Sequence, residues 1–290
     1  MNVLYRAIGR SKQSFHQRLN RQMLFLSEMG QLLALVKEIR LDHPRMSSRQ
    51  MYRLIQPAHV GRDRFESFCF ENGFKVAVKR SYQRTTNSWG VTRFDNLLLN
   101  YELTGINQVW VSDITYYRIG EKFYYITFML DLYSRFIVGH SVSNDMLTTS
   151  TSIPALKMAL NTRIDLKQLI VHSDGGGQYY CKEWLDLLSP YKIRSSMSES
   201  VYENPNAERI NGIIKNDYLV GYSPQDYQQL VNMTAKAVMK YNYEKPHGSI
   251  GNISPSHYEK LLNDQRNIKA MHRILKRKKV TKKEKTQECG

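Results

Sequence analysis

NQVWVSDITYYRIGEKFYYITFMLDLYSRFIVGHSVS, residues 107–143, decides the fold. β-Branched and aromatic side chains crowd three runs, 108–117, 122–131 and 135–143, and Gly120 and Ser134 mark tight turns between them. Strands joined by turns this short pair antiparallel, in chain order. Beyond them the period changes. The pattern predicts a helix over about 148–162, a strand at 168–173, a helix from about Gln178 to Leu188 and a strand at 192–197. An antiparallel meander followed by alternating helix and strand predicts an α/β layer with a mixed sheet.

Three acids fall at telling places on this outline. Asp113 lies inside the first strand. Asp174 ends the fourth, at a turn made by Gly175, Gly176 and Gly177. Glu208 sits in the first turn of a helix for which Asn204 is a fitting N-cap and Pro205 a fitting first residue. Carboxylates converging from two strand ends and a helix repel one another, and divalent cations remove that conflict. Two hard cations in such a cluster suit in-line phosphoryl transfer. Alone, each aspartate would read as a turn cap; Asp131, in LDLYSR, is expected to bond within its own turn to Ser134 or Arg135. His172 leaves its strand on the side of Asp174, as a packed histidine or as a donor to that carboxylate. Asn211 and Lys215 follow Glu208 on one helix face, as DNA contacts or as a solvated face, and the absent side chain of Gly212 allows close approach. Trp110 and Trp184 are expected in the core, and Trp89 is placed to stack on a base. His247, in KPHGS, is assigned to shaping its loop.

The charge is segregated. The chain of 290 residues carries a net +16, with residues 1–100 at +10, residues 101–222 at −2 and residues 223–290 at +8. Basic flanks suit a long polyanion, and a slightly acidic middle suits cations at a reaction centre. Three scattered cysteines without a CxxC argue against a disulfide framework and for a reducing compartment. No apolar stretch is long enough to span a bilayer, so no membrane partner is expected.

Residues 2–20 outline two short helices around Gly9, with Ser11 capping the second and Leu4, Ile8, Phe15 and Leu19 as a small core. That is the outline of a helix-turn-helix, or of a plain helical hairpin, leaving Lys12, Gln13, His16, Gln17 and Arg18 on the surface. A longer helix is expected over 21–42, with Leu24, Leu32, Leu35, Val36 and Ile39 as its apolar stripe and Pro44 ending it. Further helices are expected from Ser47 or Ser48 to Ile55 and from Arg64 to Asn72, where Arg49, Arg53, Arg62 and Arg64 suit phosphates. Residues 75–105 read as a basic linker. Ser223 and Pro224 open a helix to about Tyr243, followed by a turn-rich stretch; the tail has ten Lys or Arg among residues 266–285.

The segments NQVWVSDITY, LDLYSRFIVGHS, VHSDGGGQYY, NPNAERINGIIKNDYL and YNYEKPHGSIGNISPSHYE, in this order, resemble the DDE transposases of bacterial insertion sequences. The likeness is to the second-frame (OrfB-type) product of the IS-three group, within the retroviral-integrase superfamily, and it covers roughly residues 105–260. The resemblance implies a ribonuclease-H-like fold with strand order 3-2-1-4-5. It implies metal-dependent cleavage and strand transfer of DNA at element ends, with Asp113, Asp174 and Glu208 as catalytic and metal-binding acids for two ions of Mg²⁺ or Mn²⁺. The spacing before Glu208 is slightly short for the family, which leaves Glu199 and Glu203 as rival third acids; Gly212 and Lys215 at the family's spacing favour Glu208. Expected DNA contacts are Lys12, Gln13, His16, Arg18, Asn211 and Lys215. The implied partners are double-stranded DNA (element ends and target), further copies of the chain, and a first-frame (OrfA) product as partner or fusion, in a cytoplasmic, nucleoid-associated setting. The expected organisation is a helical DNA-binding region at 1–78, a basic linker at 79–105, a catalytic core at 106–222, a helix and loop completing it at 223–265, and a basic tail at 266–290. A nuclease of the same fold, and a DNA-binding regulator or inactive derivative, are the alternative functions.

Overall fold

The computed structural model describes Gly9 and residues 11–76, 93–198, 204–264 and 273–274. Leu4, Ile8, Trp89, Glu199, Glu203 and the basic tail apart from Arg273–Ile274 lie outside the described residues. The chain forms two compact units, Met1–Ala77 and Val78–Gly290.

In the first unit, helix α1 runs unbroken over Lys12–Asp42, its N-terminus capped by the Ser11 hydroxyl. The expected boundary between residues 20 and 21 is absent, because residues 12–29 contain neither Gly nor Pro to break the helix. Residues 11–20 are therefore the start of a long helix and not a short recognition helix. Phe15 and Leu19, assigned to a small core, are exposed, as are Leu24 and Leu35 of the expected stripe. Leu32 and Val36 do pack, against Met46, Met51, Val60, Phe65 and Cys69. Helix α2 (Ser48–Ile55) begins with a capping box of Ser47 and Gln50, and α3 (Arg62–Glu71) ends just before Gly73, whose φ is +78°. Of the four arginines, Arg49 pairs with Glu66 and Arg62 with Asp63, while Arg64 lies over the Phe25 ring.

The second unit is built on a five-stranded sheet. Its strands are β1 (Val109–Ile119), β2 (Lys122–Asp131), β3 (Ile137–Ser143), β4 (Ile170–Ser173) and β5 (Arg194–Met197), in the order β3-β2-β1-β4-β5. The first three pair antiparallel; β4 and β5 join parallel to β1 and to each other. This is the mixed sheet, in the order 3-2-1-4-5, of a ribonuclease-H-like fold.

Strand alternation divides the core. On one face Trp110, Met129, Val138 and Val171 meet α4 (Ser152–Thr162) and α5 (Lys182–Leu188), with Trp184 buried among them. On the other face Val109, Val111, Phe128 and Leu130 meet α6 (Pro205–Ile213) and α7 (Tyr227–Tyr243). Helix α6 continues through a π-helical segment, Ile214–Leu219, to Tyr222. Ser223, expected to open the next helix, instead ends this one at φ +53°, and Asp226 caps α7. A further helix, α8 (Pro255–Asn263), lies in the stretch expected to be turns; Ser254 caps it and Pro255 occupies its first position. Asp131 closes the β2–β3 turn as expected, its Oδ1 accepting from Tyr133 N, Ser134 N and the Ser134 hydroxyl.

Helix α4 lies against β3 at Gly139. A Cβ there would stand 2.1 Å from the Ala155 carbonyl oxygen, backbone against backbone. Gly139→Ala is expected to cost at least about 1–3 kcal/mol, the usual range for overpacking, read as a lower urea midpoint with an unchanged m-value.

Candidate active site

The site begins with strand register. Strands β1 and β4 pair in parallel only at Val109↔Ile170, Trp110↔Val171 and Val111↔His172. Two residues further along each chain stand Asp113 and Asp174, at matching positions just where the ladder stops. Asp113 is partly buried. Its Oδ1 accepts from Ile114 N at 2.9 Å and its Oδ2 from Asn211 Nδ2 at 2.8 Å. Burial first, then the Asp174 charge and also that of Glu208, push the Asp113 carboxyl up to about 7, against the pull of those two hydrogen bonds. Burial likewise raises Asp174, whose Oδ1 accepts from Gly176 N at 3.2 Å. A Cβ on Gly176 would lie 3.1 Å from that same oxygen and 2.9 Å from Gln178 Oε1, so the glycine leaves room for the Asp174 carboxylate although its φ is ordinary.

Glu208 is exposed in the first turn of α6. Asn204 precedes that helix as its N-cap residue, but its side chain does not cap it. The amide reaches across to β1 and donates to the Ser112 carbonyl at 3.0 Å. Helix α6 then runs along β1 with three polar ties. Asn211 donates to Asp113; Lys215 Nζ donates to Thr115 Oγ1 at 3.1 Å; Tyr117 OH donates to the Leu219 carbonyl at 3.3 Å. Alternate strand residues thus meet every fourth helix residue. Lys215 also lies 4.7 Å from the Tyr116 ring centroid, and burial lowers its pKa while the Asp113 charge raises it.

The structure therefore sets Asp113, Asp174 and Glu208 in one electrostatic neighbourhood, the two aspartates inside and the glutamate at the surface. Among the described residues, no three His, Cys, Asp or Glu side chains close into a metal-binding group. Asn211 is buried and committed to Asp113, so it is not part of a solvated helix face. His172 turns sideways to Ser196 on β5, with Nδ1 and Oγ 2.9 Å apart, and not to Asp174. Gly212 has no close neighbour across from its Cα, leaving that approach open. Lys12, Gln13, His16 and Arg18 lie on the exposed start of α1, in the first unit.

One residue of the site was not legible as such. Tyr179 is buried, and its hydroxyl lies 3.1 Å from that of Ser112. Burial, followed by the charges of Asp174 and Asp113, lifts this phenol well above its ordinary pKa. Its only signal was a tyrosine soon after the glycine turn.

Elsewhere in the unit, His247 packs edge-on against Tyr241, and burial with Lys245, Arg135 and Arg209 lowers its pKa to about 3. The unfolded imidazole takes a proton near pH 6.5 and the folded one does not, so this histidine costs no stability above that pH and a growing amount as pH falls toward 3. His247→Gln is expected to flatten the acid limb of a stability-against-pH curve measured by urea melts. Asn211→Ala is expected to raise the Asp113 pKa further, because it removes a hydrogen bond that favours the charged form; ¹³C NMR of the carboxyl reads that shift directly.

Two models described as "Integrase core domain" match this chain, over residues 104–201 and 191–255. The chain is 32% identical over 202 residues to the "Insertion element IS600 uncharacterized 31 kDa protein" of Shigella sonnei, covering 68% of this chain and 74% of that protein. It is 30% identical over 193 residues to "Transposase InsF for insertion sequence IS3A" of Escherichia coli (strain K12), covering 64% and 66%. Among solved structures, the HTLV-2 integrase catalytic core domain in complex with magnesium (trimeric form) aligns at a TM-score of 0.42 and 21% identity, over 56% of this chain and 98% of that one.

Proposed function

The chain belongs to the DDE transposases of the IS3 group of insertion sequences, enzymes of DNA transposition, and from that premise we propose that Asp113, Asp174 and Glu208 are its catalytic, metal-binding acids. One observation carries the assignment: the β1–β4 register sets Asp113 and Asp174 at matching positions where the ladder stops, and the helix that bears Glu208 is bonded to Asp113 through Asn211, with burial and the other acids raising that carboxyl. A carboxylate so placed is costly to ionise without a neighbouring cation. The donor set is all oxygen, which fits a hard divalent ion, Mg²⁺ or Mn²⁺, and suits a pair of them. When bound, such ions neutralise the three acids and polarise the phosphodiester for in-line displacement.

The chain's own groups prepare that site. Ile114 N and Asn211 Nδ2 occupy one lone pair on each Asp113 oxygen, which aims the remaining ones. Gly176 N does the same for one oxygen of Asp174. The Lys215 ammonium, beside Asp113 and held by Thr115, is placed to meet a phosphate of the DNA end. Asn211 acts through Asp113. The reaction is hydrolysis at the element end, water displacing the 3′-oxygen from phosphorus as a free 3′-OH, then attack of that 3′-OH on a target phosphorus with the target's own 3′-oxygen leaving. Two ends must meet for this, so the working form contains several copies on double-stranded DNA, with a first-frame product as partner or fusion. Lys12, Gln13, His16 and Arg18 on α1 and the basic flanks supply sequence-independent phosphate contacts. No helix among the described residues is long and apolar enough to cross a membrane. The setting inferred is the bacterial cytoplasm, on the nucleoid.

The test is strand transfer with the element's own ends and Mg²⁺, with and without the first-frame product, beside Asp113→Asn and Glu208→Gln. Joined products are expected, with a loss of at least about 10³-fold in either variant, roughly 4 kcal/mol of transition-state stabilisation. Cleavage without joining would reassign the chain as a nuclease, and binding without chemistry as a regulator. An active Glu208→Gln would return the third position to Glu199 or Glu203.

A further inference from the structure

The three proposed acids reside on three segments with no covalent reason to stay in register. Two of those segments are tied to the same residue of the third. Ser112, immediately before Asp113, is fully buried. Its hydroxyl donates to the Phe128 carbonyl at 3.1 Å, across the β1–β2 ladder. With that proton committed, the 3.1 Å contact to Tyr179 is one in which the phenol donates and Ser112 Oγ accepts. Tyr179 lies five residues after Asp174, in a short 3₁₀ turn that packs edge-on against Trp184. The Ser112 carbonyl, in turn, accepts from Asn204 at the start of the helix carrying Glu208. The β1–β4 ladder ends at Val111, so backbone pairing with β4 does not hold β1 at this level. Side-chain bonds supply the connection there.

We propose that Ser112 is the positioning residue that sets the spacing of the three acids, gripping the Asp174 segment through Tyr179 and the Glu208 helix through Asn204. The proposal rests on the metal-binding reading of those acids. The Asn204 carbonyl accepts from Glu208 N within the helix, and the Tyr179 and Asn204 side chains act through Ser112 on the geometry in which a cation is held. Side chains that orient ligands in this way are worth about 10–100-fold in metal affinity.

The test is Mn²⁺ binding to the full chain, followed by electron paramagnetic resonance, with the melting temperature recorded for every variant. Wild type is expected to bind and Asp113→Asn is not. Tyr179→Phe, Ser112→Ala and Asn204→Ala are each expected to raise the Mn²⁺ dissociation constant about tenfold or more. The Ser112→Ala, Tyr179→Phe double variant is expected to match Ser112→Ala alone, because that single change already breaks the bond to Tyr179 along with the one to Phe128. Wild-type affinity in Tyr179→Phe and Asn204→Ala, beside normal Asp113-dependent binding, would overturn the positioning role and leave the metal site intact. Effects of Tyr179→Phe and Ser112→Ala that multiply in the double variant would also overturn it. Absence of Asp113-dependent binding in wild type would overturn the metal reading and this proposal together. Should Tyr179→Phe not fold, Ser112→Ala breaks the same pair together with the Phe128 bond, and wild-type Mn²⁺ affinity in it would overturn the positioning role.

Discussion

The register of one helix against one strand governs the rest of the catalytic unit. Two residues of a strand advance about 6.6–6.8 Å, and four residues of an α-helix about 6.0 Å. A helix laid along a strand can therefore place every fourth side chain beside every second strand residue for a few steps before the mismatch accumulates. Helix α6 does this against β1, at Asp113 with Asn211, Thr115 with Lys215, and Tyr117 with Leu219. The last two ties fall within the π-helical segment Ile214–Leu219, where a local change of winding adjusts the phase. Shifting this helix by one residue would remove Asn211 from Asp113 and move Glu208 relative to the strand that bears Asp113.

The same junction concentrates the electrostatic cost of the fold. Most polar groups near Asp113 favour its charged form: Ile114 N and Asn211 donate to it, and the Lys215 ammonium stands nearby. Burial and the other two acids outweigh them, and the carboxyl is left near 7. A sheet designed for stability alone would not align two aspartates on neighbouring strands and then add a glutamate. The unit tolerates the conflict because the surrounding sheet is covered on both faces and over-determined by packing, from Trp110 and Trp184 on one side to Phe128 and Tyr218 on the other.

The second unit was far more legible than the first. Its strands are runs of β-branched and aromatic residues, and Gly120 and Ser134 punctuate the meander. Helix α1 lacked such punctuation. Apolar residues on several sides of it, Phe15, Leu19, Leu24 and Leu35 among them, suggested a core that the described residues do not form around them. Periodicity reports which residues could be buried; it does not supply the partner that buries them. Helix α8 was hidden for the opposite reason, since the prolines around it read as turn signals although Pro255 occupies its first helical position, where proline is at home.

By itself the sequence determined the antiparallel meander and the element carrying each acid, from local patterns of period and turn residue, and its resemblance to a family implied the sheet order. Tertiary structure alone decided how the acids are held. That Asn204 abandons its cap to reach Ser112, that Asn211 turns inward to Asp113, that His172 turns away from Asp174 to Ser196, and that Tyr179 reaches Ser112, are contacts between residues 24 to 98 positions apart. No local pattern encodes such contacts. They arise when two buried polar groups, brought together by packing elsewhere, can satisfy each other only across the gap between segments.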